Sequence, residues 1–386
     1  MKESIEYLKS VDFSFRKKNG IFFTPKKLRE KLISKLHINN KHLDILEPSC
    51  GTGEFIESIL NKWPHASITA IEKYKKPFNI AKNIFRNTNI KFIQADFLEM
   101  DLSENYDVII GNPPYFEYKP PAHIKQKFKN IVSGRTNIFM FFIKKSIDLL
   151  KPDGYLAFVV PPSMNNGSYF RKLREYIIQK TRIVDMEIVE KNEFDASQKT
   201  MLIVLQKAKN DEKYIFRKNG ITIFSTNTAF LQKAWQNAVS IASLNCTVFT
   251  GPITWNQHKE KLTDDNKYLP LLWADNIRNN KLIFPNTKSK RKQYIIYDKC
   301  LYGPAIIVAR ISGASESAKI KAAYIPSGFK FQAENHVNVI QGPEESLQLI
   351  YDNLIKDETA EFVKKLTGNT QISSKELKYL LPIHIR

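Results

Sequence analysis

The sequence predicts an α/β fold: a doubly wound parallel sheet with helices on both faces, followed by a second domain of α+β type. Three observations carry the prediction. Short apolar strands alternate with helical patterns through the first half of the chain. A Gly-x-Gly turn follows the first strand, and acids stand at the ends of successive strands, where ligands bind in sheets of this class.

The elements follow in order. Leu43-Asp44-Ile45-Leu46 reads as a strand that runs into Glu47-Pro48-Ser49-Cys50-Gly51-Thr52-Gly53, and Phe55, Ile56, Ile59 and Leu60 then show helical spacing. A second strand, Ser67 to Ile71, ends at Glu72, and a third, Ile90 to Ala95, leads to Asp96-Phe97. The fourth, in Tyr106 to Gly111, runs into Asn112-Pro113-Pro114-Tyr115. Pro120 to Gly134 is lysine-rich and reads as an irregular loop, either solvated or a flap over the ligand crevice. Gly154 to Val160 reads as a fifth strand, Ser168 to Gln179 as a helix, and Arg182 to Val189 with Thr200 to Gln206 as a terminal strand pair. Apolar content falls near Lys207 to Lys213, which puts the domain boundary at residue 210 and gives domains 1–210 and 211–386. Beyond it strands are short and turn residues frequent, with helices expected at Ala360 to Leu366 and Ser373 to Leu381. The latter opens on Ser373-Ser374-Lys375-Glu376 as a capping box.

The chemistry concentrates at two turns. The glycine turn lacks the further Gly-x-x-Gly of a dinucleotide site, and Glu47 before it would repel a pyrophosphate while welcoming a ligand that carries positive charge. At the second turn, Asn112 offers a side-chain carbonyl, Pro113 has no N–H and a fixed φ, and Tyr115 offers a stacking face. Two acceptors beside an aromatic plane suit the exocyclic amine of a nucleobase. Each motif taken by itself also fits an ordinary strand-to-helix or proline turn.

Taken together these residues resemble the adenine-N6 DNA methyltransferases of restriction–modification systems, in the gamma arrangement. The resemblance covers roughly residues 15 to 207 and is loose beyond them. It implies a Rossmann-like methyltransferase sheet closed by a terminal antiparallel hairpin, then a C-terminal target-recognition domain. It implies S-adenosylmethionine as cofactor, held by Thr24, Glu47, Pro48, Gly51, Gly53, Glu72, Asp96, Phe97, Asn112 and Phe142. Glu72 would take the ribose hydroxyls, Asp96 the adenine amine, and Phe97 and Phe142 the ring faces. Thr24, in Asn19-Gly20-Ile21-Phe22-Phe23-Thr24-Pro25, falls in the segment that closes over the methionine end. The resemblance makes Asn112, Pro113, Pro114 and Tyr115 the catalytic loop, with Tyr115 and Phe194 stacking on an adenine extruded from duplex DNA.

The formal charge of +20 over 386 residues favours a polyanionic partner. A chain rich in Lys, Asn and Ile also arises from A·T-rich coding, so charge is supporting information. In the second half, Tyr268 to Ile277, Val308 to Gly313 and Gly368 to Ile372 are distantly similar to target-recognition domains of methyltransferases and specificity subunits. Arg278 and Arg310 are candidates for base contact, and Lys288, Lys290, Arg291 and Lys292, in the densest basic run, for phosphate contact or a solvated face. Cys50, Cys246 and Cys300 show no paired spacing, so neither a metal site nor a disulfide framework is expected. Without a signal-type or membrane-spanning run, the expected compartment is the cytoplasm of a bacterium or archaeon. A monomer is expected, with any cognate restriction endonuclease acting separately. The rival readings are cytosine-N4, RNA adenine and protein glutamine methyltransferases, and a non-catalytic DNA specificity module. A serine in place of Asn112 would be usual for the first, and the intact cofactor motif weighs against the last.

Overall fold

The computed structural model describes residues 2–12, 14, 16, 22–40, 42–103, 105–189, 199–284, 291–310, 320–367 and 372–385. The chain divides into two compact units, one of residues 1–215 with 222–226 and one of residues 216–221 with 227–386.

The first unit is built on a seven-stranded sheet. Its strands are β1 (Asp44–Glu47), β2 (Ser67–Glu72), β3 (Ile90–Gln94), β4 (Tyr106–Gly111), β5 (Leu150–Val160), β6 (Arg182–Val189) and β7 (Thr200–Gln206), in the spatial order β3-β2-β1-β4-β5-β7-β6. The first five run parallel, and β7 lies antiparallel between β5 and β6. Strand order reverses between β1 and β4, which pair through Ile45 with Val108 and Leu46 with Ile109. A reversal of this kind leaves a crevice at the carboxyl ends of the two strands. Glu47 and Asn112 stand at that crevice.

Alternation along the strands feeds two cores. Leu46, Ile71, Ile109 and Phe158 pack on one face of the sheet, while Ile45, Ala70, Val108, Ile110, Ala157 and Val159 pack on the other. The helices follow as α1 (Lys2–Ser10), α2 (Lys26–Ser34), α3 (Glu54–Lys62), α4 (Lys75–Ile84), α5 (Ala122–Lys127), α6 (Ile138–Leu149) and α7 (Arg171–Lys180). Leu28 and Leu32 of α2 join the second core with Phe55, Ile56 and Ile59 of α3. Helix α6 joins the first, its unbroken apolar run Phe139 to Ile143 buried and its start capped by Asn137, which accepts from the Phe139 N–H at 3.4 Å.

One expectation is corrected here. Residues 120–134 are not an irregular flap: they contain α5, and Ile124, Phe128 and Ile131 are sunk in the first core with at most 1% of their surface exposed. Ile124 lies on α5, Phe128 caps its end and Ile131 follows in the turn beyond, and the lysines between them obscured this apolar series.

In the second unit, Thr247–Thr250, Val337–Gln341, Ala305–Ala309 and Ala322–Ile325 form an antiparallel sheet in that order. Five shorter strands form another, centred on Leu269–Leu272. Helices Glu344–Leu354, Asp357–Thr367 and Ser374–Leu380 complete it, the last capped by Ser373 and Glu376. Ile307, Val339, Leu272 and Phe331 lie at its core. Across both units, no described helix is long and apolar enough to cross a membrane.

Candidate active site

The crevice between β1 and β4 opens into a cleft lined by residues from the ends of β1, β2, β3 and β4. Its floor is the glycine turn. Gly51 and Gly53 have φ of 55° and 92°, and a Cβ on Gly53 would come within 2.5 Å of the Phe85 ring, so the turn requires glycine there. The acid that ends β2 braces this turn: Glu72 accepts from the Gly51 N–H at 2.9 Å through Oε2 and from the Tyr74 N–H at 2.8 Å through Oε1. A carboxylate offers about four lone-pair sites, so Glu72 keeps acceptor capacity for a ligand hydroxyl beyond its backbone donors.

Two polar atoms in the cleft walls lack partners. Among the described residues, Glu47 Oε2 and Thr24 Oγ1 are buried without a hydrogen bond, although both residues line the cleft. Leaving such an atom unpaired costs about 1–3 kcal/mol. Burial pushes the Glu47 carboxyl well above its ordinary range; Glu54 adds to the rise, Arg29 opposes it, and Glu72 adds further. Glu54 and Glu72 are also raised, chiefly by burial. Thr24 is held by a residue that sequence reasoning missed. Arg29, buried on α2, donates to the Thr24 carbonyl at 3.0 Å, to Ser58 Oγ at 2.9 Å and to Glu57 Oε2 at 2.8 Å, tying the segment before α2 to α3.

At the end of β3, Asp96 and Phe97 border the same cleft, and the Phe97 and Phe142 rings meet at 5.1 Å. Asp96 Oδ1 accepts from the Leu98 N–H at 3.0 Å, and Oδ2 pairs with Lys73 at 2.9 Å. At the end of β4, Asn112, Pro114 and Phe116 line the cleft. Here polar atoms are satisfied internally. Asn112 Nδ2 donates to the Phe22 carbonyl at 3.1 Å, and the Tyr115 hydroxyl sits within reach of both Asn112 Oδ1 and the Val159 carbonyl, the latter at 3.0 Å. The Tyr115 ring is buried, and Phe22 lies nearly parallel to it at 6.3 Å. Burial lifts the Tyr115 hydroxyl well above its usual range, which keeps it a donor.

The structure thus gathers Thr24, Glu47, Pro48, Gly51, Glu72, Asp96, Phe97, Asn112, Pro114 and Phe142 around one cleft, whereas Gly53, Pro113 and Tyr115 are not among its lining residues. Tyr7, Glu54 and Tyr74 also line it and were not singled out from sequence. Glu54 directly follows the glycine turn and was the one with a local signal. Phe194, Lys288 and Lys290 lie outside the described residues. In the second unit Arg278 is exposed, whereas Arg291 pairs with Asp275 at 2.9 Å over the Trp273 ring, Lys292 donates to the Leu262 carbonyl at 3.1 Å and Arg310 to the Asn335 carbonyl at 3.1 Å.

Residues 20–194 match the Eco57I restriction-modification methylase family. The chain is 30% identical to the modification methylase CviBIII of Paramecium bursaria Chlorella virus NC1A over 380 residues, covering 97% of this chain and 96% of that protein. It is 28% identical to the type II methyltransferase M.CvrRI of Paramecium bursaria Chlorella virus XZ-6E over 384 residues, 97% of each. The type II methyltransferase M.AccI of Acinetobacter calcoaceticus is 31% identical over 210 residues, 52% of this chain and 39% of that protein. The chain belongs to the restriction–modification methylase family. It is a DNA methyltransferase of the restriction–modification kind, and its cofactor is S-adenosylmethionine. The cleft of the methylase suits that cofactor on its own chemistry. An unpaired buried carboxylate oxygen and a hydroxyl answer a positively charged amino acid end, a braced acid offers lone pairs to hydroxyls, and an acid that can meet an amine lines the cleft together with two mutually packed phenylalanines.

Proposed function

We propose that the methylase transfers the methyl group to N6 of an adenine swung out of duplex DNA. The observation that carries this reading is the placement of Asn112 at the end of β4, in the same cleft as Glu47 and Thr24. Bound S-adenosylmethionine supplies an electrophilic methyl on a sulfonium. Thr24 and Glu47 would hold its amino acid end, Glu72 its ribose, and Asp96, Phe97 and Phe142 its adenine, over a floor of Pro48, Gly51 and Gly53. Asn112 Oδ1 and the Pro113 carbonyl would accept the two protons of the target amine and so turn its lone pair toward the methyl. That is mostly positioning and electrostatics: the N–C bond forms as the S–C bond breaks, the cofactor would leave as the neutral thioether, and the surplus amine proton passes to solvent.

Tyr115 has a part in making Asn112 available. Its single O–H serves one acceptor at a time, so turning from Asn112 Oδ1 to the Val159 carbonyl frees Oδ1 for the amine. Stacking of the extruded base on Tyr115 further requires Phe22 to leave that ring. Base–aromatic stacking, worth roughly 1–3 kcal/mol per base, then offsets part of the few kcal/mol that extrusion costs. Phe194 is proposed for the opposite face of the base. The first unit is read as catalytic and the second as target recognition, with Arg278 an open candidate for DNA contact. A cytoplasmic monomer, serving beside a separately acting endonuclease, completes the reading.

Nucleoside mass spectrometry of DNA treated with the purified methylase tests it. N6-methyladenine in duplex DNA is expected; N4-methylcytosine, or methylation confined to RNA, would overturn it.

A further inference from the structure

Lys145 lies on α6 with 6% of its surface exposed, and the reaction proposed above makes no use of it. Its ammonium donates to the carbonyls of Phe97 and Met100 and stands 4.7 Å from the centre of the Phe97 ring. Those carbonyls belong to the turn after β3, which closes on itself through the Leu98 N–H to Asp96 Oδ1 at 3.0 Å and the Glu99 and Met100 N–H groups to the Asp96 carbonyl at 3.1 and 3.3 Å. The acids that act on the ammonium each have another partner: Asp96 pairs with Lys73 at 2.9 Å, Asp101 with Lys127 of α5 at 3.3 Å, and Glu99 meets the His123 ring nitrogen at 2.8 Å. The backbone of the turn is therefore what Lys145 grips.

We infer that Lys145 is a positioning residue for the cofactor's adenine, fixing the turn from beneath so that Asp96 and Phe97 face the cleft together. The inference rests on those two residues forming the adenine seat. A second observation separates this role from plain structural support. Burial, with Lys127 adding to it, lowers the Lys145 pKa from 10.5 to about 8, against the pull of Asp101, Asp96 and Glu99. Because the folded pKa is lowered, the unfolded chain binds the extra proton between those values, and stability rises with pH across that interval. Below it, the buried charge opposes folding. Stability and cofactor affinity should accordingly part company when the ammonium is removed.

The test compares Lys145→Met, Lys145→Arg and Asp96→Ala in the full chain, with S-adenosylhomocysteine binding by calorimetry, thermal melting, and steady-state kinetics. K145M is expected to melt no lower than wild type at neutral pH yet bind about tenfold more weakly, with KM for S-adenosylmethionine raised and kcat at saturation kept. K145R should recover most of the affinity. Wild-type affinity should weaken as pH rises above about 8, and K145R should not follow it. Wild-type affinity in K145M, or a loss that tracks a lowered melting point and is not rescued by arginine, would overturn the inference. D96A distinguishes the two levels: if it binds as wild type the seat itself is misplaced, whereas weakened D96A beside unaffected K145M refutes Lys145 and spares the seat.

Discussion

The two ends of the cleft are prepared in opposite ways. At one end Glu47, closing β1, and Thr24 present buried atoms with no partner among the described residues; where β4 ends, Asn112 has both ends of its amide engaged, by Phe22 and Tyr115. An unpaired buried acceptor costs free energy until a ligand arrives, so the cofactor end stores its affinity in advance. A satisfied amide must first exchange partners, so the amine end gains nothing until a base displaces what is there. The contrast suits an enzyme whose cofactor can bind by itself but whose catalytic loop should engage only an extruded base.

Removing the amide breaks one end and should spare the other. Asn112→Ala is expected to slow single-turnover methylation by about 10²–10³-fold or more, the scale of losing a positioned polar group at a reacting centre. Cofactor affinity by calorimetry should stay within a few-fold, and parallel loss of both would show that the two ends are not separable. Glu47→Gln acts at the opposite end. It should weaken cofactor binding by about 10–100-fold, corresponding to a charge-assisted hydrogen bond of roughly 1.5–3 kcal/mol. Its effect on stability has the other sign. Glu47, Glu54 and Glu72 have folded pKa values above the ordinary carboxylate range, so the stability they contribute is full below their unfolded pKa and is lost as pH rises through the folded values. Melting temperatures of the cofactor-free methylase should therefore fall as pH rises from the ordinary carboxylate pKa of about 4 toward neutrality, below the range in which Lys145 acts, and fall less in E47Q. The smallest effect is expected from Tyr115→Phe, which keeps the ring and removes the hydroxyl. One hydrogen bond of about 1 kcal/mol predicts roughly a fivefold change in single-turnover rate, with cofactor affinity unchanged. A loss as large as that of N112A would mean that the hydroxyl does more than exchange acceptors.

How much of this was legible in the sequence follows from how local each feature is. The glycine turn, the acids ending β1, β2 and β3, and Asn112 to Tyr115 are contiguous motifs at strand ends, so pattern and spacing marked them. Arg29 reaches Thr24 five residues back but Glu57 and Ser58 across another element, and Lys145 meets a turn more than forty residues away. Both are charged residues on helices, which read as solvated until packing shows otherwise. The pairing of Phe22 with Tyr115 and Asn112 was hidden for the same reason. Residues 120–134 misled in the opposite direction, because lysines stood between Ile124, Phe128 and Ile131 and hid an apolar helix and turn sunk in the core. In the second half no comparable motif marks which side chains meet DNA, and the grips on Arg291, Lys292 and Arg310 came from tertiary contacts.

The most direct test of the contrast is proton release on cofactor binding. If Glu47 waits with its carboxyl raised by burial, a ligand bearing positive charge should lower that pKa and expel a proton. Calorimetric titration with S-adenosylmethionine in buffers of different ionisation enthalpy, between about pH 5 and 8, reads this directly. The expected result is a binding enthalpy that depends on the buffer in wild type and in N112A, is largely independent of it in E47Q, and is accompanied by tighter binding as pH rises. Buffer-independent binding by the wild type across that range, or release undiminished in E47Q, would contradict the account.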